Sequence, residues 1–355
     1  MFWYDHFLAN GGAEQVSLQI SQHLDITVHT AWADPALFTS LNGHERINSH
    51  NHAFKQHKFP TWSLMSFYRS QKPRTDAPYW LLTGVFSPLM MINKPKHKIG
   101  VIYFHTFPSF VHETYEQLSA SHGRLKALVF RGMCKLYTQW LKKAVAKSNR
   151  VFVNSHSVQK RFKQYLGIDA EVLYPPVEVG GLEHCPTKGY FLSSARLEPN
   201  KQVELILAAF EKRPMHTLFV AGGGTLLQEM KAKYADCKNI HFLGWQSQSQ
   251  MKTLYNYSKA LIYLPKNEYF GIAPVEAMAA GKPVISVAEG GILETVTDPR
   301  CGSLLNPGFT MDDLCHAIDT LSVDDEEATF RQKHARQFDA ELFYQSLTTV
   351  LTNSE

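Results

Sequence analysis

The stretch "KNEYFGIAPVEAMAAGKPV" (266–284) sets two carboxylates, Glu268 and Glu276, eight positions apart, across a loop and into a short helix. Pro274 suits a first helical position, which puts Glu276 at the third. A glutamate there can reach back to cap the helix start, and a loop glutamate can simply be solvated. The intervening "YFGIA" favours other chemistry. Backbone N–H groups at Gly271 to Ala273 can face an anion, while the flanking carboxylates accept from sugar hydroxyls.

A second cluster, "SSARLEPNKQVELILAAF" (193–210), sets Arg196 just before an amphipathic helix and Lys201 in its first turn. Cations at that end oppose the helix dipole, and a bound anion reverses the penalty. A forked guanidinium, a point ammonium and unpaired amides are what a diphosphate needs. The plain alternative is that both side chains point to water. In "LFVAGGGT" (218–225) a strand runs into three glycines centred on Gly223. This is only part of a dinucleotide fingerprint, and it reports either a close backbone approach or a tight turn. "NGGAEQ" (10–15) opens a helix with Gly11 and Gly12, an anion-friendly geometry. "IYFHTFP" (102–108) puts His105 at the end of a buried strand, where parallel sheets expose functional groups, although a lone histidine is also a common core residue.

These residues need a scaffold of strands and helices. In the C-terminal half, strand patterns at 190–194, 217–221, 240–243, 260–264 and 283–287 alternate with helical periods at 203–210, 225–234, 249–257 and 274–280. That alternation means a doubly wound parallel sheet with ligands beyond the carboxyl ends of its strands. The N-terminal half repeats it, with strands near 1–4, 26–29, 80–84, 99–104 and 150–153 and helices near 12–24, 125–147 and 156–166. Within 125–147, Leu125, Val129, Met133, Leu136, Trp140 and Val145 make a helical stripe that reads as core, with Lys142, Lys143 and Lys147 snorkelling near its end. The first strand is short, so either the sheet tolerates a stub or the natural chain starts upstream. The expected domains are 1–176, 177–338 and a terminal helix 339–355 packing back on the first, with the hinge in the Pro- and Gly-rich segment 173–189.

At 355 residues, 44% hydrophobic and 19% charged, the chain can fill two cores without wholesale disorder. The longest apolar run, 79–92, is interrupted by Thr83, Gly84, Ser87 and Pro88 and falls short of the roughly 20 residues of a membrane helix. It reads as a buried strand and its exit. Five scattered cysteines without a CxxC pair and the lack of a signal-peptide pattern at the start point to a reducing cytoplasm and no structural zinc. Residues 1–176 carry 20 basic against 10 acidic side chains and residues 177–355 carry 16 against 22. The segment 117–168 has 11 basic residues and no acidic one, which suits anionic head groups, phosphate or nucleic acid, or is an ordinary solvated face.

"NEYFGIAPVEAMAAGKPVI" followed by "EGGILETV" (289–296), with "ARLEPNK" (195–201), "GGAEQ" (11–15) and "VFVNSHSVQKRF" (151–162), together resemble the retaining glycosyltransferases of the family 4 type. The "YPP" at 174–176 and "FDAELFYQSL" (338–347) extend the resemblance over nearly the whole chain. "YFHTFP" and "VLYPPV" are similar to a bacterial branch of mannosyl- and related transferases that build surface polysaccharides.

The resemblance implies a GT-B fold: two Rossmann-like, doubly wound α/β domains facing a cleft. It also implies roles. Arg196 and Lys201 neutralise the donor diphosphate, Glu276 holds the ribose, and Glu268 contacts the transferred sugar, helped by amides of Phe270, Gly271 and Ile272 beside Tyr269. Gly11, Gly12 and Gly223 border the donor, and His105 bonds the sugar near the reacting centre. The expected reaction is transfer of a hexose, mannose favoured, from a nucleotide sugar to a glycan or lipid-linked acceptor, GDP-sugars preferred over UDP-sugars. No metal or other cofactor is expected. Retention without a glycosidase-like carboxylate pair favours front-face attack. The enzyme is expected in the cytoplasm or on the inner face of the membrane, docked through basic residues of 117–168, with no nucleic acid partner. The family commonly has His-Asp after the first strand, whereas this chain has Tyr4-Asp5-His6. A sugar-nucleotide epimerase or NAD-linked oxidoreductase would want a complete glycine fingerprint or a cluster of catalytic carboxylates and histidines, and a nucleic-acid-binding protein would rest on the basic segment alone.

Overall fold

A computed structural model describes residues 1–37, 43–53, 60–72, 76–111 and 123–352. Positions 117–122 of the basic segment lie outside the described residues. The chain forms two compact units, Met1–Pro175 with Phe343–Glu355, and Pro176–Leu342.

The first unit holds a seven-stranded sheet of order β3-β2-β1-β4-β5-β6-β7. Its strands are β1 (Phe2–Phe7), β2 (Val28–Ala33), β3 (Ile47–Ser49), β4 (Tyr79–Thr83), β5 (Ile99–Phe104), β6 (Arg150–Val153) and β7 (Glu171–Val172), all parallel. β1 is not a stub. It runs six residues, so Asp5 and His6 belong to the strand rather than to a turn after Tyr4. Phe2 pairs with both Val28 and Leu81, which makes β1 an interior strand of the sheet. The apolar run 79–92 is β4 followed by a buried 3-10 segment, Ser87–Asn93, as its pattern implied.

The second unit holds a six-stranded parallel sheet of order β10-β9-β8-β11-β12-β13. Its strands are β8 (Tyr190–Ser193), β9 (Thr217–Ala221), β10 (Ile240–Gly244), β11 (Ala260–Tyr263), β12 (Val284–Val287) and β13 (Gly302–Leu305). β8, β11 and β12 are buried along their whole length, because helices cover both faces of a central parallel strand. Each fully buried Leu, Ile or Phe there contributes about 1.5–3 kcal/mol. The two-sheet α/β architecture expected from the sequence is the one observed.

Two local expectations fail. The helix Arg124–Val145 buries Ala127, Cys134, Tyr137, Leu141 and Ala144, whereas Leu125 and Val129 of the stripe read as core are exposed and Met133, Leu136 and Trp140 are only half-buried. Small residues at 127, 134 and 144 let the backbone lie close to its unit, so they rather than the larger side chains face inward. The helix near 274–280 starts at Ile272, two residues earlier than Pro274 suggested. Among the described residues no helix is long and apolar enough to cross a membrane.

Candidate active site

In the second unit β8 is flanked by β9 on one side and by β11 on the other, so successive connections leave in opposite directions at the β8/β11 boundary. Ligands of open α/β sheets bind at such a boundary, beyond the carboxyl ends of the strands. The segments that follow β8 and β11 carry Arg196, Lys201 and Glu268, and the amide of Lys266 donates to the carbonyl of Asn200 at 2.8 Å, tying the two loops together.

Lys201 does not lie in the first turn of a helix. It ends a 3-10 turn, Pro199–Lys201, and Gln202 adopts a left-handed conformation before the helix Val203–Glu211 begins. This break turns the ammonium toward β11. Lys201 Nζ donates to Glu268 Oε2 at 2.8 Å, the Tyr263 hydroxyl donates to the same oxygen at 2.8 Å, and the Tyr269 amide donates to Oε1 at 3.2 Å. The Lys201 and Glu268 side chains are only 18% and 15% exposed, so Glu268 is not an ordinary solvated loop carboxylate. Arg196 is half-buried, and among the described residues its guanidinium has no hydrogen-bond or ion-pair partner.

Glu276 is the fifth residue of the helix Ile272–Ala279 and does not cap it; the cap position is Gly271, and no side chain caps the first turn. Its Oε2 accepts from the Tyr255 hydroxyl at 2.9 Å, and the Tyr255 oxygen in turn accepts from the Ser194 hydroxyl at 2.9 Å. Tyr255 is delivered by the helix Gln248–Tyr257, whose start is fixed by a Ser247/Gln250 capping box. Glu276 is half-buried, and the protein around its carboxyl raises its pKa to about 7; the Tyr255 hydroxyl and Lys252 act in the opposite direction. Tyr255, Tyr263 and Ser194 are site residues that sequence reasoning missed.

Close backbone packing shapes the loops. A Cβ on Gly291 would meet Tyr269 O at 2.3 Å and the Phe270 Cα at 2.4 Å, while the Gly291 amide donates to Glu268 O at 2.9 Å. Glu289 Oε1 accepts from the Asn267 amide at 2.6 Å. The "EGG" motif thus holds the Glu268 loop from behind. In the triple glycine, a Cβ on Gly224 would meet Leu197 O at 2.5 Å, whereas one on Gly223 would meet nothing within 4 Å. Gly223 accepts from the Leu197 amide at 2.9 Å, which pins the segment carrying Arg196. Phe270 buries its ring against Phe338, so its amide is what it can offer a ligand.

In the first unit His105 follows β5 and is buried, edge-on to the rings of Tyr4 and Tyr103. Its Nε2 lies 3.3 Å from Ser17 Oγ, and its carbonyl accepts from Asn154 Nδ2 at 2.6 Å. Burial lowers its pKa to about 3, so the ring is neutral in the working range. Gly11 caps the helix Gly12–His23 without a side-chain hydrogen bond. Asp5 is buried and accepts the amides of Val85, Phe86 and Ser87, closing the start of the 3-10 segment Ser87–Asn93; burial nevertheless raises its pKa to about 6. Among the described residues no group of three or more His, Cys, Asp or Glu stands together as metal ligands would.

Two doubly wound parallel sheets, the second with basic and carboxylate groups at its switch point, are the arrangement of the GT-B fold. Residues 181–338 match the family described as Glycosyl transferases group 1. The chain is 28% identical to the alpha-1,3/1,6-mannosyltransferase ALG2 of Kluyveromyces lactis, over 82% of this chain and 70% of that protein. It is 26% identical to the O-antigen biosynthesis glycosyltransferase WbnH of Escherichia coli, over 51% of this chain and 52% of that protein. The fold is similar to that of Anabaena HepE, solved in complex with UDP and glucose, with a TM-score of 0.71 and 18% identity over 99% of this chain and 100% of that one.

Proposed function

We propose that this glycosyltransferase moves a hexose, mannose in preference, from a GDP-sugar to a hydroxyl of a glycan or lipid-linked acceptor, with retention and without a metal. The observation that carries the reading is the pairing of Lys201 with Glu268 at the β8/β11 switch point, with Glu276 on the following helix and the Arg196 guanidinium unengaged. Similarity to proteins named mannosyltransferases supports mannose.

Arg196 and Lys201 balance the charge that grows on the diphosphate as the bond from C1 to the phosphate oxygen breaks. The acceptor oxygen bonds to C1 on the face the phosphate leaves, and its proton passes to that departing phosphate, so no enzyme carboxylate is consumed. Glu268 accepts from hydroxyls of the transferred sugar and is held for the task by Tyr263; Glu276 accepts from the ribose and is held by Tyr255. Tyr269, Gly271 and Ile272 lie along the donor. In the first unit, neutral His105 and the glycines Gly11 and Gly12 are proposed to bind the acceptor. The enzyme works at the inner face of a membrane, reached through the basic residues of 117–168.

A thermal-shift panel of GDP-, UDP-, ADP- and TDP-sugars against NAD tests the donor class, because a ligand of the folded state raises the transition by mass action. GDP-mannose should give the largest shift. A larger shift with NAD, or none with any sugar nucleotide, would sink the reading.

A further inference from the structure

A neutral imidazole donates from one ring nitrogen and accepts at the other, and the partner of one nitrogen decides which. Around His105 the two flanking phenols supply no such partner. The Tyr4 hydroxyl is committed to Glu14, and the buried Tyr103 hydroxyl bonds to nothing among the described residues. Ser17 does supply one. It is fully buried in the second turn of the helix Gly12–His23, and its Oγ lies 3.3 Å from His105 Nε2. Among the described residues that hydroxyl makes no other hydrogen bond, not even to the carbonyl four residues back, a common outlet for a helical serine. The contact can run two ways. Were Nε2–H to donate to Ser17 Oγ, the serine proton would be left in the core without an acceptor, an orphan that costs more than the bond returns. When Ser17 donates instead, both groups are satisfied and the ring proton falls on Nδ1, which has no partner among the described residues and is left for a ligand.

We infer that Ser17 is a positioning residue that sets the tautomer of His105, so that Nδ1–H donates to an oxygen of the acceptor and the ring cannot serve as the base. The inference rests on the proposed place of His105 beside the acceptor and deepens it by fixing the direction of its hydrogen bond. A protonated Nδ1 has no lone pair with which to take a proton, and the lone pair of Nε2 is occupied by Ser17. The proton of the attacking hydroxyl is therefore left to the departing phosphate. His105 must also grip an acceptor oxygen other than the attacking one, because a donor aimed at the nucleophile would hold the lone pair that has to reach C1.

The test is the nitrogen NMR spectrum of the whole chain carrying isotopically labelled histidine, in which protonated and bare ring nitrogens resonate far apart. His105→Asn identifies the signal by its loss. Wild-type protein at neutral pH should show His105 with Nδ1 protonated and Nε2 bare. Ser17→Ala should move the proton largely to Nε2, and Ser17→Thr, which keeps a hydroxyl, should return it to Nδ1. If the threonine variant does not fold, the wild-type and alanine spectra decide. With methyl mannoside as the acceptor probe, kcat for transfer from GDP-mannose should fall about tenfold to a hundredfold in Ser17→Ala, as when a working histidine loses the partner that orients it. The donor KM and the thermal shift with GDP-mannose should not change. An Nε2–H ring in the wild type, one tautomer shared by wild type and Ser17→Ala, or a wild-type kcat in Ser17→Ala would each overturn the inference. Wild-type protein that shows no shift with GDP-mannose, or transfers nothing to the probe, would strike the proposed function instead, and the spectra would still decide the tautomer.

Discussion

Glu276 connects a residue's environment to a measurable pH dependence. Its folded pKa, raised from 4.5 to about 7, means that its stabilising contribution is complete below about pH 4.5 and is lost as pH rises through 7. Under the proposed function ligand binding runs the other way, because ribose hydroxyls would donate to the ionised form. The donor KM should therefore fall about tenfold between pH 6 and pH 8, as expected when only the deprotonated form of a group with a pKa near 7 binds. Glu276→Gln should flatten that profile, and an unchanged slope in the variant would assign the titration elsewhere. His105 adds no titration in this range, since burial keeps it neutral. The two glutamates and both cations were legible from residue type and spacing, but their partners were not. Tyr263 ends a strand and Tyr255 sits in an amphipathic helix, where a tyrosine reads as core, and nothing in the sequence says which way its hydroxyl points.

The donor loop depends on elements that carry no chemistry themselves. Gly291 lies so close to Tyr269 and Phe270 that Gly291→Ala must push the Glu268 loop away. The cost of such overpacking is about 1–3 kcal/mol, which in a unit of this size lowers the melting temperature by roughly 2–10 °C. The donor KM should rise with it. A variant with wild-type melting and wild-type KM would show that the loop is held by other contacts. At this scale the sequence was most informative where strands are interior and apolar: β8, β9, β11 and β12 fall within a residue of their expected bounds. It was silent on β3, β7 and β13, edge strands of three, two and four residues with little periodicity to read. The helix Arg124–Val145 was misread because it has two stripes at helical spacing. The bulkier one suggested core, but the smaller one permits the closer approach.

The chain's last helix, Ala340–Thr352, contributes to the first unit from Phe343 onward. Phe343 packs edge-on against Tyr103, Tyr344 stacks on His23 at 3.9 Å, and Leu347 and Leu351 are buried. Removing residues 343–355 should lower the transition of the first unit while leaving that of Pro176–Leu342 in place, measured as two components by calorimetry; a shift confined to the second unit would contradict this. The parallel-sheet plan of both units followed from strand–helix alternation alone, and the family resemblance supplied the donor's outline. The central claim is that Glu268 grips the sugar and Glu276 the ribose of one donor, and calorimetric titration with GDP-mannose and with GDP tests it most directly. Glu268→Ala should remove the affinity advantage of GDP-mannose over GDP and leave GDP binding near wild type, while Glu276→Ala should weaken both ligands about tenfold or more, as loss of a hydrogen bond to a charged group does. Wild-type affinities for both ligands in both variants would contradict the account.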